Sequence, residues 1–466
     1  MRGACVGGHH ITPAGTPLAY RVGYVIYDIA DLVRRWNGKS GLVEDGGELT
    51  VNEGASFSRG VASEVNIHDP GPSRPGEARL RWLDGLRGIA ALAVAIHHGT
   101  YVYTPQFRGA LLEWFNPGTW GVMIFFLISG YIIPSSLERH GDVRRFWVSR
   151  IFRIYPLWCV AVTVLVLLAV TGVNELRGEL RPINPVVVVV SHASMLQDML
   201  AVPNAINVLW TLSYEMAFYL LVVGLFAWGA HRRTAPVICV LVAGGVLLTF
   251  LAGAAQLSSV AGVNTVATVS VVILVAAMGS GFSSNAVVGR LGATAGAAMA
   301  LVLVVANGRI SPWYGLSVLA MMFSGTLMYR ARKKEVPVRV AAVFGSLVFI
   351  VTVAQGWMHP REVEGGSISW TVSMVLVAFF FLGGMALQDR KIPAPLVRLG
   401  EISFSVYLLH PMVLKVSDAL VGRWRIDNFI PLFVYLLLLI PTASVAYRLV
   451  EYPAQMKGRR MIRSMR

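Results

Sequence analysis

The chain has 466 residues, of which 55% are hydrophobic and only 14% are charged, and its formal net charge is +15. A soluble domain has about 25% charged residues, so this composition excludes an ordinary soluble protein and predicts a membrane protein. The positive charge does not indicate nucleic-acid binding, because the arginines cluster in short loops between apolar runs, as cytoplasmic loops do. The 3 cysteines are widely scattered and predict neither a disulfide framework nor a metal site.

The first part of the chain differs from the rest. Residues 1–78 are polar and rich in glycine, and the stretch HDPGPSRPGEAR (68–79) is typical of a linker. We therefore expect a polar and poorly ordered N-terminal tail over 1–78, a membrane domain over 79–456 and a basic cytoplasmic tail over 457–466.

Apolar segments then recur as far as residue 450, and most approach the roughly 20 residues that cross a bilayer. This pattern predicts an all-α, polytopic bundle of transmembrane helices. The segments are 86–104, 118–136, 155–173, 186–200, 208–229, 235–256, 264–282, 287–306, 313–329, 338–357, 369–388, 400–417 and 429–450.

Loop charge predicts how these segments are arranged. Basic loops are expected on the cytoplasmic side, and the strongest are 138–153, 329–335, 388–391 and 457–466. All of them fall on one side only if the segment 186–200 does not cross. We therefore predict 12 spans in the cell membrane with both termini cytoplasmic, and a re-entrant or interfacial segment at 186–200.

The stretch LDGLRGIAALAVAIHHG (83–99) places ionisable groups in the first span. Arg87 and His98 are 11 residues apart, or about 16 Å along a helix. Arg87 could be a flanking charge that reaches the interface, and His98 could be a buried histidine bonded to a neighbouring helix. Ionisable groups inside spans are, however, functional by default. His97 points about 100° away from His98, so only one of them can face a reacting atom.

Arginines also precede the third span, in RRFWVSRIFRIYPLW (144–158). Arg150 and Arg153 are i,i+3 neighbours on one helix face, and Arg144 and Arg145 lie just before them. Arginines at this spacing suit phosphate, although ordinary cytoplasmic charge is the alternative. Because they lead directly into an apolar run, the pattern favours an anion pocket at the membrane face.

Two further stretches carry polar residues inside predicted spans. In VLWTLSYEMAFYLL (208–221), Glu215 has no basic residue nearby in sequence, so it needs a cavity or a partner. We expect it in the outer half of its span, at a depth where it could pair with His98 and orient it as a general base. In LGEISFSVYLLHPMVL (399–414), His410 either serves a site or fills a polar seam between helices.

These residues resemble the signatures of acyltransferase family 3, which are integral membrane enzymes that O-acylate sugars, glycolipids, cell-wall polymers and some secondary metabolites. LDGLRGIAALAVAIHH is similar to the first-span signature, whose spacing selects His98 rather than His97. RRFWVSRIFRIYPLW is similar to the paired-arginine motif, and LWTLSYEMAFYL to the Trp-x-Leu-x-x-Glu motif of Trp210, Leu212 and Glu215. FFLISGYII, ISFSVYLLHPMV and YRLVEYPAQ resemble other family spans, so the likeness covers 80 to about 456.

The resemblance implies an enzyme that moves an acyl group, expected to be acetyl, from acyl-CoA to a hydroxyl of a carbohydrate, glycolipid or secondary metabolite. It implies His98 as the base, Glu215 as its orienting group or acceptor ligand, and Arg87 beside the thioester. The CoA phosphates would bind Arg150 and Arg153 together with Arg144 and Arg145. The further site residues are Trp210, Ser213, Tyr407 and His410.

No permanent cofactor or metal is expected, and the partners are acyl-CoA, a hydroxyl-bearing acceptor and the bilayer. Because the chain ends soon after the last predicted span, we expect no extracytoplasmic esterase-like domain of the kind some members carry. The alternative is a proton-coupled transporter or an acyl-group carrier that uses the same intramembrane His98 and Glu215. The residues do not identify the acceptor, the acyl length or the oligomeric state.

Overall fold

A computed structural model describes residues 81–173, 177–249 and 253–465, apart from the side chain of His140. The predicted N-terminal tail of 1–78 lies outside these residues. All regular structure in the described part of the chain is helical, which confirms the predicted all-α class. The helices are α1 (Arg81–Tyr103), α2 (Pro105–Trp114), α3 (Pro117–His140), α4 (Val143–Val170), α5 (Pro185–Ala193), α6 (Trp210–Ala227), α7 (Thr234–Leu248), α8 (Gln256–Ala261), α9 (Val263–Ser280), α10 (Ala286–Ala306), α11 (Pro312–Arg332), α12 (Val338–Met358), α13 (Gly366–Ala386), α14 (Ala394–Glu401), α15 (Ser403–Val421), α16 (Phe429–Ala446) and α17 (Tyr452–Ser464).

Most of the long helices are apolar enough to lie in lipid. In the described ranges, 9 helical stretches have the length and composition to cross a membrane, and α7 is a shorter apolar helix. Helices α1 and α11 have 23 and 21 residues, and they are less apolar than the 9 helical stretches because they carry polar side chains into the bundle. The chain is a multi-pass membrane protein, and the count of 12 spans stays a prediction.

Contacts between helix ends define what we call the basic end of the bundle, where α3 meets α4. There Arg144 donates to the carbonyl of Gly281, between α9 and α10. Arg145 donates to the carbonyl of Met465, and Arg330 at the end of α11 pairs with Glu138. Three of the four predicted basic segments therefore meet at the same end, as the loop charges require.

The segment 186–200 returns to the end from which it starts. Its helix α5 has 9 residues, or about 14 Å, which is much less than the roughly 30 Å of a bilayer core. Arg177, which precedes the segment, donates to the carbonyl of Asn204, which follows it, at 3.2 Å. The residues between α5 and α6 are largely buried in the protein, where irregular backbone at membrane depth is tolerated. This arrangement supports the re-entrant alternative.

Cysteine labelling tests this arrangement. Arg181→Cys and Asn207→Cys flank the segment at exposed positions, and Lys333→Cys is exposed at the basic end. In a background without the native cysteines, an impermeant maleimide should label positions 181 and 207 from the same side, because their segments are hydrogen-bonded together. Position 333 should label only from the other side. Labelling of 181 and 207 from opposite sides would restore 13 crossing segments.

Candidate active site

A cavity of about 760 Å³, counted with the open space at its mouth, lies where α1, α3, α4, α6 and α15 converge. Its charged lining consists of Arg87, Arg150, Arg153 and Glu215. Aromatic and aliphatic side chains, including Phe125, form most of the remaining wall. The cavity thus combines a cationic region with an apolar surface, as a site for a ligand with an anionic head and an apolar arm would require.

Close backbone packing places Arg87 at this cavity. Helix α1 crosses α14 where Gly88 faces Gly400, and Gly88 directly follows Arg87 in the chain. A Cβ atom at Gly88 would lie 2.8 Å from the Gly400 nitrogen, and one at Gly400 would lie 2.0 Å from the Asp84 carbonyl oxygen. Glycine is needed at such a close approach of two backbones because any side chain would separate them.

The paired arginines of α4 lie together as their spacing predicts. Both line the cavity, one helical turn apart. Arg150 is only 8% exposed, and its guanidinium lies 5.6 Å from the ring centre of Phe146 and 5.8 Å from that of Tyr219. Stacking on aromatic faces stabilises a buried guanidinium. Arg153 is less buried, so its guanidinium is the more accessible of the pair.

Glu215 belongs to the arginine cavity and not, as expected, beside His98. It accepts a hydrogen bond from the Tyr219 hydroxyl, and it interacts electrostatically with Arg87. Helix α6 begins at Trp210, and the residues just before it are already buried, so Glu215 lies within the bundle. His98 is about 16 Å along α1 from Arg87 and is not among the residues that line the cavity.

Arg144 and Arg145 lie outside the cavity, in contrast to their expected role in anion binding. Arg144 donates to the carbonyls of Gly281 and Phe282, at 3.2 and 2.7 Å, and so caps the end of α9. Arg145 pairs with Asp142 at 3.3 Å in addition to its bond to the C-terminal helix. Their guanidinium groups join helix ends, and sequence spacing alone could not separate them from the cavity arginines.

Tyr407 lines the cavity, while Trp210 and Ser213 lie on the adjoining helix α6. The Tyr407 hydroxyl shares a hydrogen bond of 2.8 Å with Thr211 and donates to the Val208 carbonyl at 3.1 Å. Trp210 packs on Tyr214 with ring centres 5.9 Å apart. Ser213 is fully buried and accepts a hydrogen bond from the backbone of Asp198, in the re-entrant segment. Trp210 and Ser213 therefore fix the start of α6.

A cluster of histidines lies further along α1. The ring of His98 is 5.3 Å from that of His97 and 5.1 Å from that of His410, measured between centres. His98 is partly exposed, whereas His410 is completely buried. The Tyr407 ring lies 6.0 Å from that of His410, so this tyrosine touches both the cavity and the histidine cluster.

His97 pairs with Glu364, whereas the sequence predicted a pair of His98 with Glu215. The His97 Nε2 atom lies 3.3 Å from the Glu364 carboxylate, which also binds Arg108 and the Asn116 amide. The hydrogen bond from His97, with help from Asn116 and Arg108, lowers the pKa of Glu364 to about 2. Glu364 lies in the loop between α12 and α13, so no local spacing could have connected it to α1.

Glu451 is a second acidic residue near the arginines that the sequence did not single out. It is 3% exposed and ends a π-helical turn, Tyr447–Glu451, between α16 and α17. Its carboxylate accepts hydrogen bonds from Ser405 at 2.8 Å and Gln455 at 3.1 Å, and it interacts electrostatically with Arg153. The one signal in the sequence was a carboxylate close to an apolar span. The π turn itself is visible only in the structure, and such turns often occur at functional sites.

Comparison with known proteins agrees with this architecture. The model of the acyltransferase domain of acyltransferase family 3 matches residues 80–449. The chain belongs to this family. The matched region contains every residue that lines the cavity, and it contains the three histidines of the cluster. No solved structure matches the chain.

Named relatives come from several bacteria. The chain is 32% identical over 178 residues to the putative peptidoglycan O-acetyltransferase YrhL of Bacillus subtilis, covering 34% of this chain and 26% of that protein. It is 23% identical over 411 residues to the O-acetyltransferase OatA of Staphylococcus aureus, covering 81% of this chain and 58% of that protein. It is 29% identical over 152 residues to the peptidoglycan O-acetyltransferase OatA of Listeria monocytogenes, covering 30% and 23%. The alignments therefore span less than two thirds of each relative.

Proposed function

We propose that this protein is a membrane O-acyltransferase that moves an acetyl group from acetyl-CoA to a hydroxyl of an envelope carbohydrate. The observation that carries the proposal is the convergence of Arg87, Arg150 and Arg153 in one cavity with apolar walls. Three cations that repel one another in a protein interior are retained only if anions compensate them. Glu215 is the carboxylate of the cavity lining, and Asp84 and Glu451 act on the arginines from outside it. A phosphate-bearing ligand in the cavity would contact the guanidinium groups directly.

CoA fits the two parts of this cavity. Its phosphates would bind the guanidinium groups, which present planar forks of donors suited to phosphate oxygens. Its pantetheine arm would lie along the apolar wall that Phe125 and Leu212 help to form. The arm would point along α1 and past Tyr407 toward the histidines, so that the thioester meets the acceptor near His98.

The chemistry requires a base at that point. A hydroxyl is a weak nucleophile at neutral pH, so a positioned imidazole accelerates its attack by taking its proton. The acceptor oxygen would bond to the thioester carbonyl carbon as its proton passes to His98. The C–S bond would then break, and the CoA thiolate would recover the proton from His98. This sequence leaves His98 neutral and ready for another turnover.

The acceptor class and the orientation belong to the same proposal. The names of the relatives from Bacillus and Listeria specify peptidoglycan, which favours an envelope glycan over a secondary metabolite as acceptor. The basic end is proposed to face the cytoplasm, where acyl-CoA is available, with both termini on that side in the cell membrane.

In the alternative function, a proton-coupled transporter, His98 and Glu215 would form a relay, yet these residues belong to different neighbourhoods.

Transfer can be measured with the purified full-length chain in lipid vesicles. With labelled acetyl-CoA and soluble peptidoglycan fragments, we expect release of CoA that depends on the acceptor, together with an alkali-labile acetyl ester on the glycan. A pH-sensitive dye inside the vesicles serves as the control for transport. Proton flux without CoA release would favour the transporter and contradict the proposal.

Arg153 tests the phosphate site. Arg153→Ala should raise the KM for acetyl-CoA about tenfold to hundredfold, since a hydrogen bond to a charged group contributes roughly 1.5–3 kcal/mol. Arg145→Ala is the matched control, because it removes an arginine from the same helix but outside the cavity. Its KM should stay unchanged. Equal KM values in both variants and the wild type would remove Arg153 from the donor site.

The two adjacent histidines test the base. His98→Ala should lower kcat by about a hundredfold to ten-thousandfold, as expected for loss of a general base, while acetyl-CoA binding persists. His97→Ala should keep much of its activity, because His97 is bonded to Glu364. An active His98→Ala enzyme with an inactive His97→Ala enzyme would assign the proton transfer to the His97–Glu364 pair.

A further inference from the structure

His410 occupies a special position in α15, immediately before Pro411. Proline has no backbone N–H, so the carbonyl four residues earlier, that of Tyr407, lacks its helical donor. The His410 Nδ1 atom lies 3.3 Å from the Val406 carbonyl oxygen, and the same ring hydrogen-bonds to the Tyr407 carbonyl. The His410 side chain thus replaces the donor that Pro411 removes.

This contact determines the tautomer of His410. The Val406 carbonyl oxygen at Nδ1 can only accept, so Nδ1 carries the proton and Nε2 of the neutral ring carries the lone pair. The residue is 0% exposed, and its Nε2 atom has no hydrogen-bond partner among the described residues. A buried acceptor without a partner is costly and requires an explanation.

The neighbouring His98 ring explains why the Nε2 atom of His410 is left without a partner. The centres of the His98 and His410 rings are 5.1 Å apart, and their planes are tilted by 32°. The other charged groups near His98 are His97, Glu364 and Arg108, and these bind one another. In the part of the chain that the structure describes, His410 therefore places an acceptor without a partner on the ring next to His98.

We propose that His410 is the positioning residue of His98, an inference that rests on the function proposed above. In the reacting enzyme its lone pair would accept the N–H of His98, which would leave the other His98 nitrogen directed at the acceptor hydroxyl. When His98 takes the hydroxyl proton and becomes a cation, both of its nitrogens are donors, and the bond to His410 becomes charge-assisted and stronger. The gain is therefore larger in the transition state than in the resting enzyme, so it acts on kcat.

Two amide variants separate this role from helix capping. In His410→Asn the amide nitrogen takes the place of Nδ1 and keeps the carbonyl bonds, but nothing replaces Nε2. In His410→Gln the longer amide can place an oxygen where Nε2 was. We expect His410→Asn to lose about tenfold to a hundredfold in kcat with unchanged KM for acetyl-CoA, and His410→Gln to recover most of that loss.

Pro411→Ala is the control for loss of the capping contact in His410→Asn. It restores an N–H for the Tyr407 carbonyl, so His410→Asn in the Pro411→Ala background no longer depends on the capping contact. The same loss of kcat is expected there, relative to Pro411→Ala alone. Stabilisation against heating by acetyl-CoA shows that each variant is folded and binds the donor.

Three results would overturn the inference while leaving acyl transfer by the wild type intact. Wild-type kcat in His410→Asn would mean that the ring only caps the helix. Loss of kcat in His410→Gln equal to that in His410→Asn would mean that the imidazole itself carries a proton. A raised KM for acetyl-CoA with normal kcat would mean that His410 acts on donor binding. An inactive wild type would instead contradict the proposed function.

Discussion

Repulsion among guanidinium groups that share one cavity is the constraint on which the rest of this structure depends. Arg87, Arg150 and Arg153 line a single cavity inside a helical bundle. The dielectric there is low, so water screens their charges poorly. Three carboxylates offset them, Asp84 on α1, Glu215 on α6 and Glu451 at the π turn. The helices that surround the cavity are therefore joined by charge as well as by apolar packing, and removal of one partner exposes the others to uncompensated repulsion.

The cavity and the histidine cluster are two neighbourhoods on the same helix. Residues 11 apart on α1 supply Arg87 to one and His98 to the other, which separates them by about 16 Å. Tyr407 joins them, because its ring contacts that of His410 while its side chain lines the cavity. Under the proposed function, an elongated acyl donor would extend from the first neighbourhood to the second, so the two need not touch.

The segment 186–200 and the residues that follow it hold the start of α6 within the bundle. Its backbone is irregular, so its polar groups must be satisfied within the protein. Gln197 donates to Asn204 at 3.0 Å and to the Leu209 carbonyl at 3.0 Å, and Asn204 donates to Asp198 at 2.8 Å. This network allows α6 to begin inside the bundle and brings Glu215 to the arginines.

The sequence by itself determined the all-helical membrane class, the family, the common end of three of the four basic segments and the joint position of Arg150 and Arg153. These properties follow from composition and from helical periodicity, which act locally. It could not assign the carboxylates. Glu215 met the arginines rather than His98, Glu364 paired with His97, and Arg144 and Arg145 capped helix ends, because each of these contacts joins residues far apart in the chain. Tertiary structure decided them, since a buried charge takes whichever counter-charge or carbonyl the packing of helices brings within hydrogen-bonding distance.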